Sequence, residues 1–117
     1  MNLDGSTVLV TGGAGFVGAN LLRRLERDKH EVWVYDNLCR GSSDYVPSRE
    51  RLIQGDIRDR ERLAKAMDGM DTVIHLAAFG SVVESVSDPV TNYSINVSGT
   101  QAVLDCVLST NVEQLIF

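Results

Sequence analysis

A chain of 117 residues, 44% hydrophobic and 23% charged, with 10 Gly and only 2 Pro, has the make-up of one small globular domain and excludes disordered, collagen-like and low-complexity readings. Eleven Lys+Arg against 16 Asp+Glu give a net charge of −5, so no basic stripe exists to hold nucleic acid or an anionic membrane surface. No apolar run nears the roughly 20 residues of a membrane span, residues 1–5 carry no basic-then-apolar leader, and Cys39 and Cys106 fit neither a disulfide framework nor a Cys-x-x-Cys site, so a cytoplasmic, reducing setting is expected.

Residues 7–11 form a β-branched run without polar alternation, the pattern of a strand covered on both faces. Gly12-Gly13-Ala14-Gly15 ends it. Over residues 16–28, Val17, Leu21 and Leu25 recur at steps of four with Leu22 alongside, which predicts a helix burying that face. A second strand is expected at 31–36, then a loop over 37–49 rich in turn formers, and a short third strand at 51–54 stopped by Gly55. Residues 58–67 read as a charged helix burying Leu63, Ala66 and Met67, and 72–76 as a fourth strand. Asp88 as N-cap and Pro89 at the first helical position open a long helix. Tyr93, Val97, Thr100, Leu104 and Val107 line one of its faces, Gly99 implies close packing on a neighbour, and Asn111 is its expected stop. A fifth strand begins at Gln114, and the chain ends inside it.

Alternating strands and helices of these lengths predict an α/β fold: a doubly wound parallel sheet in the order 3-2-1-4-5, with the third and fifth strands at its edges. The strongest chemical signal is the turn after the first strand. It reads as G-x-x-G-x-x-G on Gly12, Gly15 and Gly18, or as G-x-G-x-x-G on Gly13, Gly15 and Gly18. In either form one glycine turns the chain out of the strand, one lets backbone approach a pyrophosphate, and Gly18 allows the helix to pack closely. Free N–H groups at the helix N-terminus suit an anion that the acidic chain as a whole would not attract. Asp36, closing the second strand, stands where an acceptor for ribose hydroxyls belongs; the alternative is a turn-forming Asp before Asn37. An ionised Asp36 favours NAD over NADP, whereas Arg40 four residues on is placed to receive a 2′-phosphate. NAD is the expected cofactor.

With these motifs the chain resembles the extended short-chain dehydrogenase/reductase family, and within it the NAD-dependent nucleotide-sugar epimerases and dehydratases, over residues 7–117 and with a Rossmann-type fold. The likeness rests on Thr11-Gly12-Gly13-Ala14-Gly15-Phe16-Val17-Gly18, Asp36-Asn37-Leu38-Cys39-Arg40-Gly41, Gly55-Asp56-Ile57-Arg58-Asp59 and His75-Leu76-Ala77-Ala78, with Ser85, Pro89, Asn96 and Gly99-Thr100 matching scattered later positions. The resemblance implies that backbone at Phe16 and Val17 meets the pyrophosphate and that Asp36 and Asn37 hold the adenosine ribose. It also implies that Asp56 and the Ile57 amide read adenine, and that Leu76, Ala77 and Ala78 pass beside the nicotinamide. Asp56 also reads as a cap for the helix expected from Arg58. Ser81, in the loop that resembles the family's substrate-proximal segment, is the one substrate-contact candidate. His75 and Asn96 are expected to be hydrogen-bonded structural residues, and no His/Cys cluster suggests a metal.

The resembling enzymes use a Tyr-x-x-x-Lys pair as proton-transfer machinery. Here the fourth residue after Tyr35 is Cys39, after Tyr45 Arg49 and after Tyr93 Val97, so none qualifies. The expectation is therefore that residues 1–117 are the N-terminal, dinucleotide-binding portion of a nucleotide-sugar epimerase or dehydratase, binding cofactor without turnover. A non-catalytic dinucleotide-binding module and an inert fragment are the alternatives. An apolar fifth strand at the sheet edge further predicts a homo-oligomer or edge-strand self-association.

Overall fold

The computed structural model describes residues 5–117; residues 1–4, most of the segment read for a leader, lie outside the described residues. The elements run β1 (Thr7–Thr11), α1 (Phe16–Arg27), β2 (Glu31–Asp36), β3 (Leu52–Gln54), α2 (Arg60–Met67), β4 (Thr72–His75), α3 (Val82–Ser87), α4 (Pro89–Tyr93), a π-helical turn (Ser94–Ser98), α5 (Gly99–Ser109) and β5 (Gln114–Ile116). All strand pairs are parallel and the order is β3-β2-β1-β4-β5, as the alternation predicts. No helix among the described residues is long and apolar enough to cross a membrane.

β1 sits centrally because it can bury both faces. Val8 and Val10 turn to one side, where Leu22 and Leu25 of α1 cover them together with Val32, Val34 and Ile74. Leu9 turns to the other and meets Leu63 and Met67 of α2, Val103 and Cys106 of α5, and Tyr35 and Val73 of the adjacent strands. Side chains alternate along a strand, so a run of five apolar or β-branched residues serves two cores at once.

Three helical expectations change. In α1 the buried residues are Gly18, Ala19, Leu22 and Leu25, with Leu21 half-buried, whereas Val17 is 65% exposed. The first turn leaves both Phe16 and Val17 exposed, so apolar spacing there does not mean burial. α2 starts at Arg60, not Arg58, because Asp59 and not Asp56 accepts from the Arg62 amide at 3.2 Å and caps it. The long helix after Pro89 does begin with Asp88 accepting from the Thr91 amide, at 3.1 Å. It is interrupted, however, by the π turn, and the stripe that packs inward is Gly99, Ala102, Val103 and Cys106.

Tyr93, Val97 and Leu104 are exposed, contrary to the expected face. An extra residue in one helical turn rotates the preceding segment by about 100° relative to the later one, so no single stripe of large side chains runs the whole length. The small residues win the interface because α5 lies close to its neighbours: a Cβ on Gly99 would come within 2.5 Å of Ile57 Cδ1. The stop falls at Thr110, one residue before Asn111. α3 is an element the sequence pattern did not announce; it buries none of its six residues and is capped by Ser81, which accepts from the Glu84 amide at 3.2 Å.

Leu9 is fully buried between the two helical layers. Leu9→Ala should cost about 2–5 kcal/mol, read as a lowered urea midpoint with an unchanged denaturant slope.

Candidate functional site

The site lies at the C-terminal ends of β1, β2 and β4, where the strand order reverses direction about β1. This is the place where open α/β sheets leave a crevice. A groove of about 330 Å3 opens there, lined among others by Gly12, Gly15, Asp36, Asn37, Arg40, Asp56, Ile57, Leu76, Ala77 and Ala78.

Its floor is the glycine turn. Gly12 has φ +72°, and a Cβ there would lie 2.6 Å from the Ala77 backbone nitrogen. Only glycine combines that left-handed turn with so close an approach to the β4 exit. A Cβ on Gly18 would meet the Gly13 Cα at 2.5 Å, so this glycine seats α1 against its own turn. Gly15 has open space, its nearest would-be neighbour being the Gly12 oxygen at 3.5 Å, and faces the groove. The first helical bond of α1 runs from the Ala19 amide to the Gly15 oxygen, at 2.8 Å. The amides of Phe16, Val17 and Gly18 precede it and have no backbone acceptor among the described residues, which leaves three donors at the positive end of a 12-residue helix.

Asp36 holds this floor to the next wall. It is only 9% exposed, its Oδ2 accepts from the Ala14 amide at 3.0 Å and its Oδ1 from the Leu38 amide at 2.8 Å. The turn-forming and groove-lining roles thus coexist: a carboxylate has about four acceptor positions, and two remain for a ligand. Asn37 Oδ1 accepts from the Cys39 amide at 2.9 Å, and the Ser42 amide returns to the Ala14 oxygen at 3.1 Å. Ala14 is therefore clasped from both sides by the segment after β2. Arg40, on the same segment, turns its guanidinium to Glu84 of α3 and lies 5.4 Å from the centre of the Phe79 ring.

The second wall is the segment after β3. Tyr35, fully buried in β2, donates its hydroxyl to the Asp56 oxygen at 2.7 Å. Burial, followed by the nearby Asp59 charge, pushes its phenol up to about 12, so it stays a neutral anchor and no base. The Asp56 carboxylate accepts from the Arg58 amide at 2.8 Å and from its guanidinium at 2.7 and 2.9 Å. The Arg58 side chain, ahead of the counteracting burial, holds this carboxyl below the usual range.

The third wall follows β4. Thr11 Oγ1 accepts from the Leu76 and Ala77 amides at 3.2 and 3.3 Å and lies 2.6 Å from His75 Nδ1. The Thr100 hydroxyl donates to the Asn96 oxygen at 2.6 Å, so its oxygen receives the proton of His75 Nε2, at 3.3 Å. That fixes a neutral ring with Nδ1 accepting from Thr11, and burial lowers the ring's affinity for a proton in the same sense. Asn96, carried by the π turn, accepts from the Phe79 amide at 2.7 Å and donates to the Phe79 oxygen at 3.2 Å, pinning the loop end.

The residues singled out in the sequence are thus sorted by position. Gly12, Gly15, Asp36, Asn37, Arg40, Asp56, Ile57, Leu76, Ala77 and Ala78 converge on the groove. Phe16, Val17 and Gly18 stand at the adjoining helix end, outside its lining. Ser81 caps α3 through its hydroxyl oxygen and lies outside the lining. Tyr35, Phe79 and Glu84 shape the groove without having been singled out. Tyr35 reads in sequence as one more strand residue, and nothing local ties residue 84 to residue 40.

The family model described as the NAD dependent epimerase/dehydratase family matches residues 8–117. The UDP-glucose 4-epimerase of Neisseria meningitidis serogroup C is 37% identical over 119 aligned positions, covering 94% of this chain and 35% of the relative. Among solved structures, the Thermus thermophilus UDP-glucose 4-epimerase in complex with NAD superposes with a TM-score of 0.90 at 38% identity, over 95% of this chain and 36% of that one. The Brucella ovis UDP-glucose 4-epimerase in complex with NAD gives a TM-score of 0.90 at 40% identity, over 96% and 35%. The chain spans about a third of the length of these relatives.

Because His75 is held neutral, the unfolded chain binds more protons once pH drops below the ordinary histidine value of about 6.5. Stability should therefore be fully present above that pH and decline as pH falls below it. Urea midpoints measured across this range in the parent and in His75→Asn should show a flatter profile for the variant.

Proposed function

The chain belongs to the NAD dependent epimerase/dehydratase family, and on that premise we propose that its groove holds NAD as the cofactor-binding portion of a nucleotide-sugar epimerase or dehydratase. The observation that carries the reading is the set of Phe16, Val17 and Gly18 amides, without a backbone acceptor among the described residues, beside the open face of Gly15, with the Asp36 carboxylate tied to the neighbouring Ala14 amide. The pyrophosphate takes the amides, in keeping with an acidic protein that must neutralise an anion through its backbone. The ribose hydroxyls donate to the free acceptor positions of Asp36, with Asn37 beside it. The adenine amine donates to the remaining acceptor position of Asp56, next to the Ile57 amide. Leu76, Ala77 and Ala78, two of them small, leave room at the nicotinamide end.

When bound, NAD supplies a hydride acceptor and donor for a sugar carbon. The residues of this chain bind and orient it: Thr11 and His75 fix the backbone beside the nicotinamide end, and Asn96 fixes the end of that loop at Phe79. No tyrosine here serves as a base, since Tyr35 is an anchor and neither Tyr45 nor Tyr93 precedes a lysine at the required spacing. Turnover thus calls for a Tyr-x-x-x-Lys segment that residues 1–117 do not contain. The substrate is a nucleotide sugar, with Ser81 on the approach to it, and the setting is cytoplasmic. A homo-oligomer is part of the proposal.

Calorimetric titration of the 117-residue chain with NAD tests the reading. Binding is expected to be weak, and no heat at millimolar NAD would overturn it. Asp36→Ala removes a charged acceptor, so affinity should fall at least about tenfold. An unchanged affinity in a folded variant would exclude the assignment of the ribose end.

A further inference from the structure

The groove has two cations on its lining, Arg40 and Arg58. Each already has a carboxylate. Arg58 is held by Asp56 on two guanidinium nitrogens and also reaches Ser94 Oγ at 3.0 Å. Arg40 is drawn away from the end of β2, across to Glu84, a residue 44 positions later in the chain. The Phe79 ring lies against it, and Asn96 pins the Phe79 backbone on both its amide and its oxygen. Cation–ring attraction and the ion pair therefore act on the same rotamer.

Position matters here. An arginine shortly after the β2 carboxylate is the group that can accept a 2′-phosphate on the adenosine ribose, while the carboxylate itself repels one. Arg40 follows Asp36 by four residues, so the chain carries both instructions at once. The backbone of this segment is fixed by the Asn37–Cys39 and Ser42–Ala14 bonds, so only the Arg40 side chain is free to choose.

Resting on the reading of the groove as an NAD site, we infer that Glu84 is a specificity-determining residue: it sequesters the Arg40 guanidinium on the Phe79 ring and so withholds the cation placed after the β2 carboxylate to welcome the 2′-phosphate of NADP. Glu84 itself lies outside the groove lining. It acts by leaving the Asp36 carboxylate unopposed by the Arg40 guanidinium at the ribose end. Both members of the pair are about half exposed, with side-chain exposures of 49% and 48%, so the pair is weak in solvent and its removal shifts selectivity by a few-fold and not by orders of magnitude.

The test measures dissociation constants for NAD and NADP by calorimetry, at one fixed ionic strength, in the parent chain, in Glu84→Gln and in Glu84→Gln combined with Arg40→Ala. Glu84→Gln should lower the ratio of the NADP constant to the NAD constant by about five-fold. Adding Arg40→Ala should restore the parent ratio. An unchanged ratio in Glu84→Gln overturns the inference, and so does a gain that persists without Arg40, which would assign the effect to the Glu84 charge alone. If the parent binds neither dinucleotide, the reading of the groove fails and the inference falls with it; if the parent binds NAD and the ratio does not move, only the inference fails.

Discussion

One buried carboxylate holds the site together. Asp36 receives the Ala14 amide from the glycine turn and the Leu38 amide from its own loop, so the first and second strand ends become one rigid piece. These hydrogen bonds lie at only 9% exposure, where they are costly to leave unmade. The Ser42 amide closes the clasp from the far side of Ala14. Without this clasp the three free amides of α1 would have no fixed relation to the wall opposite.

The electrostatics follow from the same arrangement. A chain with a net charge of −5 does not draw an anion by its overall field. It offers instead a short array of backbone donors at a helix end, and neutralises the nearby arginines with carboxylates. The result is a groove suited to a ligand whose charge sits on one diphosphate. The third wall is set by neutral hydrogen bonds alone, through Thr11, His75, Thr100 and Asn96, where burial favours uncharged partners.

Much of the fold was legible because its signals are local. The β-branched run at 7–11, the alternation of strand and helix lengths and the glycine spacing each depend on a few consecutive residues. So do the Asp88–Pro89 helix start and the inward residues of α2. The readings that changed depend on what lies across the gap. Val17 and Tyr93 have helical spacing but nothing packs over them. The stripe on α5 is set by the need to approach Ile57 closely, which selects Gly99 and the small residues below it. The π turn that breaks the stripe carries Asn96, whose partner Phe79 is 17 residues earlier.

What the sequence by itself determined was the α/β class, the strand order, the glycine turn and the carboxylate closing β2, because periodicity and glycine placement impose these through short-range sterics and two-sided burial; the other residues expected at the strand ends came from the family resemblance. Tertiary structure alone decided the partners: Asp36 with Ala14, Tyr35 with the Asp56 backbone, and Arg40 with Glu84. Those pairs join residues 21 to 44 positions apart. A carboxylate or a hydroxyl carries no mark in its own neighbourhood of the donor or acceptor that folding will bring to it.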